Sequence, residues 1–203
     1  MIDNYVKFSF IFLCFLIALG SYWFCRSKRD WAYLAAAMGF TVVSDFLLLI
    51  VGNYPAGVFT FCFVHVMYIL RVRGGWGVVR NWVAVPIMAG VLFFLFFLIF
   101  LILRRALPIL IILGAVYALL FSANLIFHLK YYKRGGPNRR IMLSGLILFV
   151  LCDIHVLLFN LHDFIAVPAW VGDWGRMWIW VFYAPSQLLL GVSAVRWKEE
   201  DIQ

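Results

Sequence analysis

The sequence predicts an all-α fold, a polytopic bundle of about seven transmembrane helices. Three observations carry that prediction. Apolar residues make up 66% of the 203, and the mean hydropathy is +1.00. Charged residues are only 13%, against about 25% in a soluble domain. Seven apolar runs approach or exceed the roughly 20 residues needed to cross about 30 Å of hydrocarbon. No long polar stretch separates them, so residues 1–203 read as a single transmembrane domain.

The runs follow in order. The first spans Tyr5–Cys25, the second Trp31–Val51 and the third Tyr54–Leu70. A Gly52-Asn53-Tyr54-Pro55 break separates the second from the third, where glycine and proline interrupt helical periodicity. The fourth spans Trp82–Leu103 and the fifth Ala106–Leu129, with Arg104-Arg105 as a tight turn whose side chains can snorkel to the interface. The sixth spans Ile141–Leu161 and the seventh Met177–Val195. Trp31, Trp82, Trp170, Trp174 and Trp178 sit at or near these ends, where amphipathic rings prefer the membrane–water interface. Residues 162–176 form the longest loop on their side, an ordinary surface loop by composition. At the N-terminus, Asp3 precedes Lys7 and no small-residue cleavage pattern follows the first run, so it reads as a retained helix.

Basic residues set the expected orientation. Arg26, Lys28, Arg29, Arg71, Arg73, Arg80, Lys130, Lys133, Arg134, Arg139, Arg140, Arg196 and Lys198 fall on one side of the predicted bundle. Lys7, Arg104, Arg105 and Arg176 fall on the other. The positive-inside rule then places the N-terminus outside and the C-terminus in the cytoplasm, as in a multi-pass protein of the cell membrane. The net charge of +8 belongs to these loops, which meet membrane lipid headgroups. No basic domain exists to hold a nucleic acid. Cys14, Cys25, Cys62 and Cys152 form no CxxC pair, which predicts neither a disulfide framework nor a zinc-finger-like site. Nothing in the sequence sets an oligomeric state.

Polar residues inside the runs are the functional signal, because ionisable groups at membrane depth cost a few kcal/mol or more. Ser44 and Asp45 lie in the second run, His65 and Tyr68 in the third, and Tyr117, Asn124 and His128 in the fifth. Asp153 and His155 lie in the sixth, Tyr183, Ser186 and Gln187 in the seventh. At about 1.5 Å per residue, Asp45, His65, Tyr117, Asp153, Tyr183 and Gln187 share a slab about 9–16 Å from one membrane face. Asn124 and His128 fall deeper, with His128 expected at the opposite interface. Gly57, Phe61, His65 and Tyr68 step by four, four and three, so they share one helix face. Asp153 and His155 are two apart and point about 160° from each other. Only one of them can enter a common site, and Asp153 is the expected one.

The order of these motifs resembles the YhhN-like lysoplasmalogenase family of integral membrane hydrolases. Phe40-Thr41-Val42-Val43-Ser44-Asp45 is similar to that family's phenylalanine-led segment ending in Gly-Asp. Gly57, Phe61, His65 and Tyr68 match its Gly-x3-Phe-x3-His-x2-Tyr helix in full. Pro108 with Tyr117, Cys152-Asp153, and Tyr183 with Ser186-Gln187 resemble the three later motifs. Ser44 stands where the family usually has Gly, Cys152 where it has Ser, and Ser186 where it has Ala. The family is usually counted at eight helices, and the extra one would be N-terminal.

The resemblance implies hydrolysis of the vinyl ether bond of lysoplasmalogens, with a lysophospholipid as substrate and no cofactor or metal. That chemistry needs one protonated carboxyl as acid and one carboxylate to steady the cation or activate water. Asp45 and Asp153 would fill these roles. His65, Tyr68, Tyr117, Tyr183, Gln187 and Ser44 would orient the substrate, the water or an aspartate. Three other readings use the same residues. His65 and the two aspartates could ligate a metal. Intramembrane Asp and His also serve proton-coupled carriers, although no internal repeat of the transporter kind is visible. The third is a non-catalytic lipid-binding protein.

Overall fold

Helix starts are written locally in this chain. The Ser27 hydroxyl accepts from the Asp30 amide, and the Asn53 side-chain Oδ1 from the Ala56 amide at 3.2 Å, capping two successive helices. Pro55 and Pro137 occupy first-turn positions, where the missing N–H costs nothing. The computed structural model describes residues 3–25, 27–72, 109–132, 136–161 and 166–196. Within them lie α1 (Asn4–Gly20), α2 (Lys28–Asp45), α3 (Tyr54–Leu70), α4 (Ile109–Tyr131), α5 (Pro137–Asn160) and α6 (Ala169–Val192).

The fold is all-α. Among the described residues there is no β-strand, only an isolated antiparallel bridge between Cys25 and Val195. Four helices are long and apolar enough to cross a membrane: α1 with its extension to Phe24, α2 with its extension to Val51, α4 and α5. This makes the chain a membrane protein. The apolar α3 has 17 residues, and α6 has 24. The predicted fourth helix, Trp82–Leu103, and the Arg104-Arg105 turn lie outside the described residues.

Neighbouring helices pack in chain order, and α6 returns to contact α1, so the described helices form a ring. The tightest seam is between α5 and α6. A Cβ on Gly175 would lie 2.7 Å from the His155 carbonyl oxygen and 2.7 Å from the Phe159 nitrogen. Only a residue without a side chain fits such a backbone approach. The ring interior is aromatic and aliphatic, with Met38, Phe61, Tyr68, Phe121, Phe149, Tyr183 and Leu190 buried in one cluster. The α1 helix buries only the stripe Ile11, Cys14 and Ala18 and leaves Phe12, Leu13 and Leu16 exposed, as expected of a peripheral lipid-facing helix.

Two expectations change. Residues 169–176, expected as loop, are the first two turns of α6. Pro168 is the residue before that helix, and the exposed Trp170 and Trp174 project from its first turns. Arg71, expected among the loop cations, is fully buried. Its guanidinium donates to both oxygens of Asp30 at 2.8 Å and to the Ser193 hydroxyl at 2.6 Å, tying the start of α2 to the ends of α3 and α6. A buried arginine is tolerated only when paired in this way. His128 is buried between the helices at 1% exposure, and its Nδ1 meets the Asn124 backbone carbonyl one turn back on α4.

Candidate active site

The α2 helix ends at Asp45, and the chain continues as a π-helical stretch, Phe46–Val51, before Gly52 (φ 74°) turns it. A change of helical pitch re-aims the side chains beside it, and such stretches recur at functional sites. Asp45 faces inward at 4% exposure. The Tyr183 hydroxyl of α6 donates to its Oδ2 at 2.6 Å. Beside it, the Ser44 hydroxyl donates to the Gly57 carbonyl. A Cβ on Gly57 would lie 2.5 Å from Leu48, so glycine lets α3 approach the turn that carries Asp45.

A second carboxyl is held the same way. The Tyr117 hydroxyl of α4 donates to Asp153 Oδ2 of α5 at 2.6 Å. Among the described residues, each aspartate thus takes its hydrogen bond from one tyrosine and keeps its other oxygen for a further partner. Cys152, 3% exposed, immediately precedes Asp153 on α5. Phe61 packs edge-on against Tyr117, and Phe149 packs against both Phe61 and Tyr183. The two carboxyl–phenol pairs therefore border one aromatic interior, delivered by α2, α4, α5 and α6.

The other predicted residues divide. His65 lies one turn along α3 from Phe61, fully buried, with its ring stacked on Phe121 at 4.3 Å and edge-on to Tyr117 at 4.9 Å. Its Nδ1 meets the Asn124 amide nitrogen at 3.2 Å, not a carboxyl. The Tyr68 hydroxyl donates to the Met38 sulfur at 3.6 Å, and Ser44 serves a helix contact, so neither is bonded to an aspartate. Among the described residues, the Gln187 amide nitrogen reaches only the Ser186 hydroxyl, at 3.5 Å. His155 turns away from Asp153 and packs against Trp178 and Phe182, as the spacing predicts.

Asn124 is the partner that sequence reasoning placed too deep. Tyr117, Phe121, Asn124 and His128 step by four, three and four, so they form one stripe of α4. That stripe was the available signal. Among the described residues, no three His, Cys, Asp or Glu side chains gather as a ligand set.

The arrangement offers two carboxyls, Asp45 buried and Asp153 partly buried, each with one oxygen fixed by a phenol, in an apolar surrounding that also holds an imidazole and two amides. Such a site can pass a proton to a bound molecule at one carboxyl and hold a second charge at the other. A sequence model described as the YhhN family matches residues 3–194. No curated protein and no solved structure matches the chain.

Proposed function

The chain belongs to the YhhN family, and from that premise we propose that it is a membrane hydrolase cleaving the vinyl ether bond of lysoplasmalogens. The products are a fatty aldehyde and a glycerophospho-alcohol. The observation that carries this reading is the pair of aspartates, Asp45 and Asp153, each held by a tyrosine hydroxyl at 2.6 Å.

The reaction runs in three steps. One carboxylic acid gives its proton to the β-carbon of the vinyl ether, leaving an oxocarbenium ion. Water adds at the cationic carbon and passes a proton to the other carboxylate, giving a hemiacetal. The hemiacetal C–O bond to the glycerol then breaks, releasing the aldehyde and the alcohol. The cation lies between two carboxyls in a low-dielectric surrounding, where charge stabilisation is strongest.

Tyr117 and Tyr183 fix the carboxyls that do this work. His65 and Gln187 face the same interior and orient water or substrate, while Tyr68 and Ser44 brace the helices that carry the site. The aromatic interior takes the alkenyl chain, and loop arginines meet the phosphate. The protein sits in the cell membrane as a bundle of about seven helices, with its N-terminus outside and its C-terminus in the cytoplasm.

The test is hydrolysis by purified protein of choline and ethanolamine lysoplasmalogens, beside acyl and alkyl-ether lysolipids of equal chain length. The expected result is aldehyde from the vinyl ethers alone. Cleavage of the acyl lipid at an equal rate would show a different reaction.

A further inference from the structure

Two cations stand at the end of the bundle where α1 and α6 begin, close to the carboxyl pairs. Lys7 lies in the first turn of α1, half-buried, and its ammonium is 5.4 Å from the centre of the Trp180 ring. The Trp180 ring meets the Tyr183 ring edge-on at 5.3 Å, and Tyr183 holds Asp45. One indole therefore separates the ammonium from the phenol of the first pair. Two contacts of α1 agree with this placement. Phe8 packs against Phe46, the residue after Asp45, at 5.8 Å, and the Asn4 side-chain amide donates to the Leu49 carbonyl at 3.0 Å.

Arg176 is the second cation, and it is exposed. Arg176, Trp180 and Tyr183 step by four and three, so they share one face of α6. The α5 and α6 helices run antiparallel, because a Cβ on Gly175 would meet His155 and Phe159 and one on Gly145 would meet Ser186 and Leu190. Asp153 therefore lies about one turn further from the start of α6 than Arg176 does. The guanidinium leans toward α5, 5.9 Å from the Phe159 ring. Lys7 and Arg176 thus both neighbour Trp180, at the level just beyond the two pairs.

On the opposite side of the pairs the surroundings are apolar. Phe121 is one turn after Tyr117 on α4, Phe149 is one turn before Asp153 on α5, and their rings meet at 5.1 Å. Along the bundle the order is cation, carboxyl, aromatic. A ligand that matches it has an anionic group, a short polar spacer and an apolar chain. Arginine and lysine both bond phosphate oxygens through charge-assisted hydrogen bonds. In a lysophospholipid the glycerol puts about six bonds of roughly 1.5 Å between the reacting vinyl ether carbon and the phosphorus, a reach of about 7 Å. One to two helical turns span about 5–11 Å, so a vinyl ether at the carboxyls brings the phosphate to the cations.

We propose that Lys7 and Arg176 form the phosphate subsite of the carboxyl site and bind the phosphodiester of the lysophospholipid. Resting on the hydrolase reading above, this narrows the phosphate contact to two helical cations. It also fixes the direction of the lipid, with its headgroup toward the starts of α1 and α6 and its chain toward Phe121 and Phe149. Neither cation takes part in the proton transfers.

Binding of an uncleavable alkyl-ether lysophospholipid tests the subsite in the full chain, purified in an uncharged maltoside detergent. Its affinity is compared with that of the 1-alkylglycerol of equal chain length, which lacks the phosphate. The wild type is expected to bind the phospholipid at least about ten-fold more tightly. Lys7→Gln and Arg176→Gln are each expected to cut that preference at least about five-fold, with alkylglycerol binding unchanged. Lys28→Gln removes a cation that donates to the Tyr22 carbonyl at 2.7 Å, at the far end of α1, and is expected to leave the preference intact. No preference in the wild type, or a preference kept by either subsite variant, overturns the subsite. An equal loss of alkylglycerol binding does the same. So does displacement of the lysolipid by a diacyl phospholipid at equal concentration, which would assign the cations to bulk bilayer headgroups. Vinyl ether hydrolysis is measured on the same wild-type sample. A preference that both variants reduce, without hydrolysis, supports the subsite and sinks only the hydrolase reading. Hydrolysis with the preference kept in the variants overturns the subsite alone.

Discussion

Asp45 and Tyr183 are 138 residues apart in sequence and share a hydrogen bond of 2.6 Å. Asp45 closes α2 and Tyr183 lies in mid-α6, two residues before Pro185, which leaves the helix short of one backbone donor. Tyr117 and Asp153 repeat the relationship on α4 and α5. A phenol that fixes one carboxyl oxygen leaves the other aimed at whatever enters between the helices.

Tyr183→Phe and Tyr117→Phe each remove one of these bonds while keeping the ring and its packing. A hydrogen bond to a charged or chargeable group is worth about 1.5–3 kcal/mol. Each variant is expected to lower kcat for vinyl ether hydrolysis by about 10- to 100-fold, with thermal unfolding in detergent little changed. Wild-type kcat in both variants would mean that the phenols only fill space.

The Asp30–Arg71 pair gives a prediction about stability rather than chemistry. Arg71→Ala strands a buried carboxylate and is expected to cost about 3–5 kcal/mol. The double variant Arg71→Met with Asp30→Leu replaces both charges by apolar side chains and is expected to recover most of that loss. Thermal unfolding of Arg71→Met, Asp30→Leu and the double variant measures the coupling. Additive losses would show that the two residues do not act as a pair.

Gly175 predicts a steric effect. Its missing Cβ faces the His155 and Phe159 backbone, which cannot move aside as a flexible side chain can. Gly175→Ala is expected to destabilise the α5–α6 seam by about 1–3 kcal/mol. Gly20, with nothing near its missing Cβ, is the control, and Gly20→Ala is expected to change the melting temperature far less. Equal shifts in the two variants would contradict the close approach.

Much of this was legible in the residues. The all-α membrane class follows from composition, and α3 runs from Tyr54 to Leu70 as predicted. The buried face Gly57, Phe61, His65 and Tyr68 follows from helical spacing, and so does the divergence of Asp153 from His155. Other features depend on long-range pairing that no local pattern encodes. Arg71 looks like a loop cation until Asp30, 41 residues away, is found against it. Residue counting along each helix separately puts Asn124 deeper than His65, whereas its stripe with Tyr117 and Phe121 carries it to His65. The first turns of α6 carry Asp173 and Arg176 among tryptophans, which reads as loop by polarity, although Pro168 marks a helix start.

The central claim is that Asp45 and Asp153 act together on one bound lipid. Asp45→Asn and Asp153→Asn keep the size of each side chain and remove its acid chemistry. Loss of a positioned acid or base typically slows a reaction by 10²–10⁴-fold. The most direct measurement is the rate of fatty aldehyde release from a lysoplasmalogen by the purified wild type and by each variant, all shown to be folded. The account predicts release by the wild type and a loss of at least about 100-fold in each variant. Full activity in either variant would contradict it.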